Sequence, residues 1–517
     1  MPDAKDPQPA ATLTPDARAN LLAALFSTIV TLVAAYIATR HHTVFVWQEL
    51  DGYTLQAEQL LSAKWPRDVF RPALYVILTA LGGALLDDCF LAGKMLSAMA
   101  TGGLVWLSYR LGLRLVDART GLIACALAAS NSLLMTNGIL AATDALFALH
   151  FHVALLMALR LCDEPSPKRA FWAGGALALA WFTRYQAVAL LPVMLMTIAV
   201  RSNRRSMARN AMSFAIGTIV GLIPHMAVSW LQFHRPFYDE NWRNLALRHF
   251  GTEGDWAYLY SNPFHGTLSV LSHDPLQMLL TAASELWTFF HIGLPQSMGL
   301  ATPGIPSFWA IILLTVGTWT AAQRNRRATL VAISAAGCYT ALVCLTFHAS
   351  NRFCLPLVPM GSAALACAIT RICAIQANGR ILREAAWRGI ALALCIQGAL
   401  FSLRETQDMI QGQPTEIVDF ARNLEQHAAT LPRVVSNFGP LPHYAAIDHL
   451  YTAIAIDTES AWKGLRTAAA NHHAEYVLCH RQEAWRNWDA FLLQPVPADF
   501  EVVAASSAFR AYRPRQR

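Results

Sequence analysis

The chain has 517 residues, of which 55% are hydrophobic and only 14% charged. Soluble chains carry roughly a quarter charged residues, so a string of water-soluble domains is excluded and a polytopic α-helical membrane protein is expected. The net charge of +7 is not a nucleic-acid signature, because the arginines cluster between apolar runs as the positive-inside rule requires. The ten cysteines show neither a disulfide framework nor zinc spacing.

Residues 1–19 begin Pro-, Ala- and Asp-rich and read as a cytoplasmic tail. The first apolar run, Leu21 to Thr39, is longer than the ~7–15 residues of a signal-peptide core. It ends in Arg40-His41-His42 rather than a small-residue cleavage site, so it reads as the first span. A spanning helix needs roughly 20 apolar residues, and about thirteen segments satisfy that. Basic clusters then arbitrate. Those at Arg110–Arg119, Lys168–Arg169, Arg201–Arg209, Arg324–Arg327 and Arg371–Arg388 can all be cytoplasmic only if two apolar segments do not cross. One is Pro72 to Leu86, which is short and ends in Asp87-Asp88. The other is Pro275 to Leu294, which carries Glu285 and His291. Both read as interfacial or re-entrant helices on the non-cytoplasmic side.

About eleven spans remain by the same length rule. They start near Asn20, Phe90, Thr120, Thr143, Ala170, Ala187, Asn210, Pro306, Ala328, Cys354 and Ala386, and the membrane domain runs over 20–404. An odd count puts the N-terminus inside and the C-terminus outside. Large loops at 40–89 and 233–304 then face outward with the Thr143-Asp144, Arg184-Tyr185 and His348-to-Arg352 turns, and these pieces are expected to converge. After Arg404 the pattern changes. Helices are expected over Glu416 to Ala428 and Ser460 to Ala470. Short strands are expected at Val434-Val435, Thr452 to Ile456, Tyr476 to Cys479, Glu501 to Ala504 and Phe509 to Tyr512. Residues 405–517 therefore read as a small α/β domain on the extracytoplasmic side.

The stretch from Glu49 to Pro72 is polar, acidic and turn-rich between membrane-length apolar runs. Asp51 precedes a short amphipathic helix starting near Tyr53. It suits an N-cap and equally a general base at the membrane–water boundary. Arg71 precedes Pro72, where a helix should start, and can hold a phosphate there or anchor at the headgroups. Asp144 opens a later span in AATDALF, and an acid at a membrane boundary is functional by default, with an N-cap as the plainer role. Arg184 in WFTRYQ and Arg352 in HASNRFCLP sit on the outward side and break the positive-inside pattern. They point to a bound anion, or to snorkelling toward lipid phosphates. Arg243 and Arg248 lie on an amphipathic segment, Asn241 to Phe250, in an aromatic-rich loop suited to an interface or to sugar stacking.

These motifs in this order resemble the GT-C superfamily of polyprenyl-phosphate-sugar glycosyltransferases. The resemblance is greatest to glycosyltransferase family 39 and the aminoarabinose and protein mannosyl transferases. It rests on Asp51-Gly52-Tyr53, Arg71-Pro72-Ala73, Ala142-Thr143-Asp144, Thr183-Arg184-Tyr185 and Arg352-Phe353-Cys354-Leu355-Pro356. The resemblance implies that Asp51 is the catalytic acid of the first loop, that Asp144 is its second-loop partner, that Arg71 lies at the active site, and that residues of the Arg184 type bind the lipid phosphate. This chain departs from the family at Ala73, where a second proline is common, and at Phe353, where a tyrosine is common.

The expected reaction is an inverting sugar transfer at the outer face of a bacterial inner membrane. The donor is a polyprenyl-phosphate sugar lying in the bilayer, and the acceptor is an envelope glycan, lipid or protein. Nucleic acid is not an expected partner. Arg184, Arg352 and a loop arginine, Arg243 or Arg248, would stabilise the leaving phosphate. A divalent cation shared by Asp51 and Asp144 is a further option. Two other function classes fit a polytopic bundle with outward Asp and Arg. A transporter or flippase should show paired halves with broken helices, which the sequence lacks. A structural subunit of an envelope complex should tolerate neutralisation of both acids.

Overall fold

The computed structural model describes residues 15–44, 49, 52–66, 68–200, 204–251, 258, 262–300, 308–347, 350–376, 380–413, 415–428, 430–438, 441–451, 458–480, 495–506 and 509–515. The fold is a helical bundle followed by an α/β unit. In chain order the first helices are α1 (Pro15–Ala38), α2 (Tyr53–Leu61), α3 (Leu74–Leu86), α4 (Cys89–Leu115), α5 (Ala118–Ala129), α6 (Ser132–Gly138), α7 (Thr143–Asp163) and α8 (Pro167–Thr183). A 3-10 turn over Tyr185–Leu190 leads into α9 (Leu191–Val200), then α10 (Arg204–Phe233), α11 (Asn241–Phe250), α12 (Thr267–His273) and α13 (Pro275–Thr288). A π turn over Phe289–Gly293 joins α13 to α14 (Leu294–Ser297), followed by α15 (Phe308–Arg324) and α16 (Arg326–Thr346). A second 3-10 turn, Asn351–Leu357, precedes α17 (Val358–Gln376) and α18 (Arg380–Gln411).

The expected span starts that are described fall within α-helices, except Ala187 and Cys354, which fall in the 3-10 turns that lead into α9 and α17; Pro306 lies outside the described residues, just before α15. Among the described residues, six helical segments are long and apolar enough to cross a membrane: Asp16–Ala38, Cys89–Leu115, Thr143–Asp163, Arg204–Phe233, Arg326–Thr346 and Asn351–Ala374. The pair α5 and α6, bent by 59°, makes a seventh if it counts as one span. Asn131 explains the bend. Its side chain caps α6 by accepting from the Leu134 N–H (3.0 Å), while the Ser130 carbonyl, freed at the end of α5, accepts from the Ser402 hydroxyl of α18 (3.1 Å). The expectation of about eleven crossings is therefore met in part. The remaining segments are helical but short, as with the 17 residues of α8 and of α15, or charged, as with α18.

Neither segment expected to lie at the interface passes as a span. Helix α3 has only 13 residues, and Asp87 ends it in the left-handed region (φ 56°). Asp88 then caps α4 by accepting from the Leu91 N–H at 2.8 Å. The acidic pair is thus the corner of a tight hairpin, and Tyr75 of α3 donates its hydroxyl to the Gly93 carbonyl of α4 (2.9 Å). Helix α13 starts at Pro275 under an Asp274 cap. Its outer face exposes Leu276, Leu279, Leu280 and Trp287 while Met278 is buried, the pattern of a helix lying in an interface.

Small residues set a close helix contact between α8 and α10. A Cβ on Gly217 would collide with the Phe171 carbonyl, and one on Gly174 with the Phe214 carbonyl. Gly217→Val is expected to destabilise the bundle by at least about 1–3 kcal/mol, the usual range for overpacking. A lowered thermal midpoint in detergent is the readout; an unchanged midpoint would refute the close contact.

Beyond α18, α19 (Thr415–His427), α20 (Leu441–Tyr444) and α21 (Thr458–His472) pack on a five-stranded sheet. Its strands are β1 (Arg433–Ser436), β2 (Asp448–Tyr451), β3 (Tyr476–His480), β4 (Phe500–Ala505) and β5 (Phe509–Pro514), in the order β2-β1-β3-β5-β4. The β2-β1-β3 half is parallel and the β3-β5-β4 half antiparallel. Alternation sorts the faces: Val434 and Leu478 meet Ile417 and Leu441 on one side, and Val435 and Val477 meet Trp462 and Leu465 on the other. The strand expected at Thr452 to Ile456 lies outside the described residues, and the second strand sits just before it, at Asp448–Tyr451. Gln413 joins this unit to the end of α1. Its side-chain oxygen accepts from the His42 and Thr43 N–H groups (2.6 and 2.9 Å).

Candidate active site

Helix α7 begins after an extended Ala142 that offers no side-chain cap, so its first-turn N–H groups need a negative charge nearby. Asp144 supplies one, in that first turn, at only 3% exposure. Two arginines from distant points of the chain converge on it. Arg184 sits where α8 ends, with an extended backbone (φ −154°, ψ 139°) that turns its side chain out of the helix. It forms an ion pair with Asp144 Oδ1. Arg352, in the second 3-10 turn, donates its Nε–H to both carboxylate oxygens of Asp144 (3.0 and 3.1 Å). Three residues singled out from sequence alone thus form one largely buried cluster. Among the described residues, two guanidiniums face this one carboxylate.

Phe353 forms the floor of this cluster. Its ring lies 5.5 Å from the Arg184 guanidinium and 5.8 Å from that of Arg352. It stacks on Phe347 at 5.0 Å, and its carbonyl accepts from the buried Tyr339 hydroxyl (3.0 Å). The departure from tyrosine at this position therefore keeps an aromatic platform for both cations.

Asp51 lies outside the described residues. Both of its flanks are fixed, however. Glu49, 2% exposed, accepts the Ala141 N–H through Oε1 (2.9 Å). Tyr53 shares a hydrogen bond with the Thr143 hydroxyl (3.1 Å). Gly52 takes φ +83°, a left-handed conformation that glycine adopts without strain, and starts α2. The first loop is thereby tied, before and after residue 51, to the residues leading into Asp144.

Arg71 is held beside the same helix. Its Nη1 donates to Asp68 (3.1 Å), and its guanidinium lies 5.6 Å from the Tyr53 ring. Asp68 also accepts the Phe70 and Arg71 N–H groups and the Gln56 amide, which makes residues 68–71 a compact turn. The long loop joins this turn: the Glu240 N–H donates to the Val69 carbonyl (2.7 Å), and Glu240 pairs with Arg243. Arg243 is thus brought next to the Arg71 turn. Arg248 is placed differently. It pairs with Glu285 of the interfacial helix α13, and the adjacent His249 donates its Nε2–H to the Leu345 carbonyl (2.7 Å). Burial lowers the His249 pKa. Sequence reasoning passed over these carboxylate partners, Asp68, Glu240 and Glu285. Arg71 and Arg243 each pair with an acid three residues earlier, a spacing visible in the sequence; Glu285 gave no local signal.

A divalent cation does not fit at Asp144, whose two oxygens already face guanidiniums that would repel it. Among the described residues, no group of three or more His, Cys, Asp or Glu could hold a metal ion.

The family model for dolichyl-phosphate-mannose-protein mannosyltransferase matches residues 71–230, a span containing Arg71, Asp144 and Arg184. No curated protein matches the chain in sequence. Among solved structures, ArnT from Cupriavidus metallidurans in the apo state superposes with a TM-score of 0.63 at 14% identity, over 96% of this chain and 98% of that one. The same protein bound to undecaprenyl phosphate gives a TM-score of 0.62 at 13% identity, over 94% and 97% of the two chains. The archaeal oligosaccharyltransferase AglB from Archaeoglobus fulgidus, solved with an inhibitory peptide and a dolichol-phosphate, gives 0.56 at 13% identity, over 90% of this chain and 69% of that one. The chain thus carries a family match over residues 71–230, less than half of its length, and shares the fold of these membrane proteins over nearly its whole length.

Proposed function

We propose that the protein transfers a sugar from a polyprenyl-phosphate donor to an extracytoplasmic acceptor, an envelope glycan, lipid or protein, in a bacterial inner membrane. The observation that carries this reading is the Asp144–Arg184–Arg352 cluster with the first loop tied beside it. A largely buried pair of arginines in a membrane-embedded bundle suits a lipid phosphate. The ligands of the two structural relatives, undecaprenyl phosphate and a dolichol-phosphate, are of that class.

In the proposed step the acceptor hydroxyl attacks the anomeric carbon. The new C–O bond forms as the bond to the phosphate oxygen breaks, and Asp51 takes the hydroxyl proton. The lipid phosphate leaves as a stable anion, so cations suffice and no protein acid is required. Arg184 and Arg352, preorganised by Asp144, supply the positive field, and Arg71 and Arg243 face the donor from the loop side. A single displacement inverts the anomeric centre. The site, the α/β unit at 405–517 and the loops at 40–89 and 233–304 lie on the extracytoplasmic side, with residues 1–19 inside. Purified protein in nanodiscs, given a panel of polyprenyl-phosphate sugars and acceptors, is expected to consume at least one donor and to yield product of inverted anomeric configuration. A retained configuration, or consumption of nucleotide sugars instead, would refute the proposal.

A further inference from the structure

A buried ionic network that the mechanism above does not use lies immediately before residue 51. Both Glu49 oxygens meet His41 Nε2 (2.9 and 2.8 Å), and both side chains are fully buried. Lys94, 3% exposed in the first turns of α4, donates to the Ala38 carbonyl (2.9 Å) and to that of His41. Its ammonium also lies 4.1 Å from the Phe90 ring. Burying these charges costs several kcal/mol per ion before pairing, so stability alone is a weak reason to place them here. What the network does geometrically is specific. It joins the C-terminal end of α1, the start of α4 and, through the Glu49–Ala141 bond, the approach to Asp144. The neighbouring segment is braced from the α/β unit as well, where the Tyr444 hydroxyl accepts the Val44 N–H.

We infer that Glu49 is a positioning residue for the transfer reaction. Its carboxylate, oriented by His41, fixes the first loop, in which the proposed base lies two positions on in sequence, against Ala141, three residues before Asp144. Tyr53 with Thr143 is the second tie, on the far side of residue 51. The inference rests on the assignment of Asp51 as the base. Glu49 itself touches no reacting atom: its two oxygens are occupied by His41 and Ala141. A displacement of about 1 Å at a reacting group can cost 10²-fold in rate, so a loss of reach at Glu49 is expected to appear in kcat and not in donor binding.

Two conservative variants test this. Glu49→Asp keeps the charge and shortens the reach by one methylene. It is expected to lower kcat about 10–100-fold with the donor KM nearly unchanged. Glu49→Gln keeps the length, and its amide oxygen still accepts the Ala141 N–H, so it is expected to restore most of kcat. Hydrogen exchange at the Ala141 amide gives a readout independent of turnover: protection persists in E49Q and falls in E49D. Wild-type kcat in E49D, or a donor KM that rises as far as kcat falls, would overturn the inference. So would an E49Q protein no better than E49D. D51N assayed in parallel separates the two assignments. An active D51N removes Asp51 as the base, whereas an inactive D51N beside a fully active E49D removes only Glu49.

Discussion

Asp51→Asn is expected to yield a folded, membrane-inserted protein with transfer reduced by about 10²–10⁴-fold, the usual contribution of a positioned general base. The amide keeps the size of the side chain and removes its basicity. The ties at Glu49 and Tyr53 do not depend on residue 51, so the loop should stay in place. Donor binding should persist, because the cations proposed to hold the phosphate lie at 184 and 352. The measurement is turnover together with a donor-binding curve on the same preparation. Transfer at the wild-type rate by folded D51N would show that another group takes the acceptor proton.

Asp144→Asn is expected to act on stability and catalysis together. It removes a carboxylate that faces two largely buried guanidiniums, and breaking such a pairing costs about 3–5 kcal/mol. Turnover should fall steeply because Arg184 and Arg352 lose the group that aims them. The variant also has a signature that a purely structural role would not give. Polyprenyl phosphate, an anion, should raise the thermal midpoint of D144N by more than it raises that of the wild type. Equal shifts in the two proteins would mean that the lipid phosphate binds away from this cluster.

Much of this site was legible in the sequence, and the reason is electrostatic. A charge at a membrane boundary is costly and must be matched, so Asp144, Arg184 and Arg352 stood out wherever they broke the apolar or positive-inside pattern. The turns that carry Asp144, Arg184 and Arg352 do converge. The acidic corner Asp87-Asp88 ended a segment too short to cross, and the structure shows why: one residue takes a left-handed turn and the next caps α4. What stayed hidden was pairing between residues distant in sequence. Nothing local to Glu285 indicates that it meets Arg248, and nothing in Lys94 alone says that it holds the end of α1. Lys94 was nevertheless a missed signal, since a lysine inside a membrane-length helix is itself a flag. The exact number of crossings was not legible for a related reason. Hydropathy scores composition along the chain, while Asn131 bends one segment and the 3-10 turns at 185–190 and 351–357 interrupt others.

The most direct test of the central claim is phosphorus NMR on purified protein with a polyprenyl-phosphate sugar and its acceptor. The donor is a phosphodiester, and the lipid product of transfer is a phosphomonoester. The wild type is expected to convert the first signal into the second, and D51N is expected to leave the donor intact. A wild-type protein that moves the lipid between leaflets while the phosphodiester signal persists with every donor would contradict the account and favour a flippase.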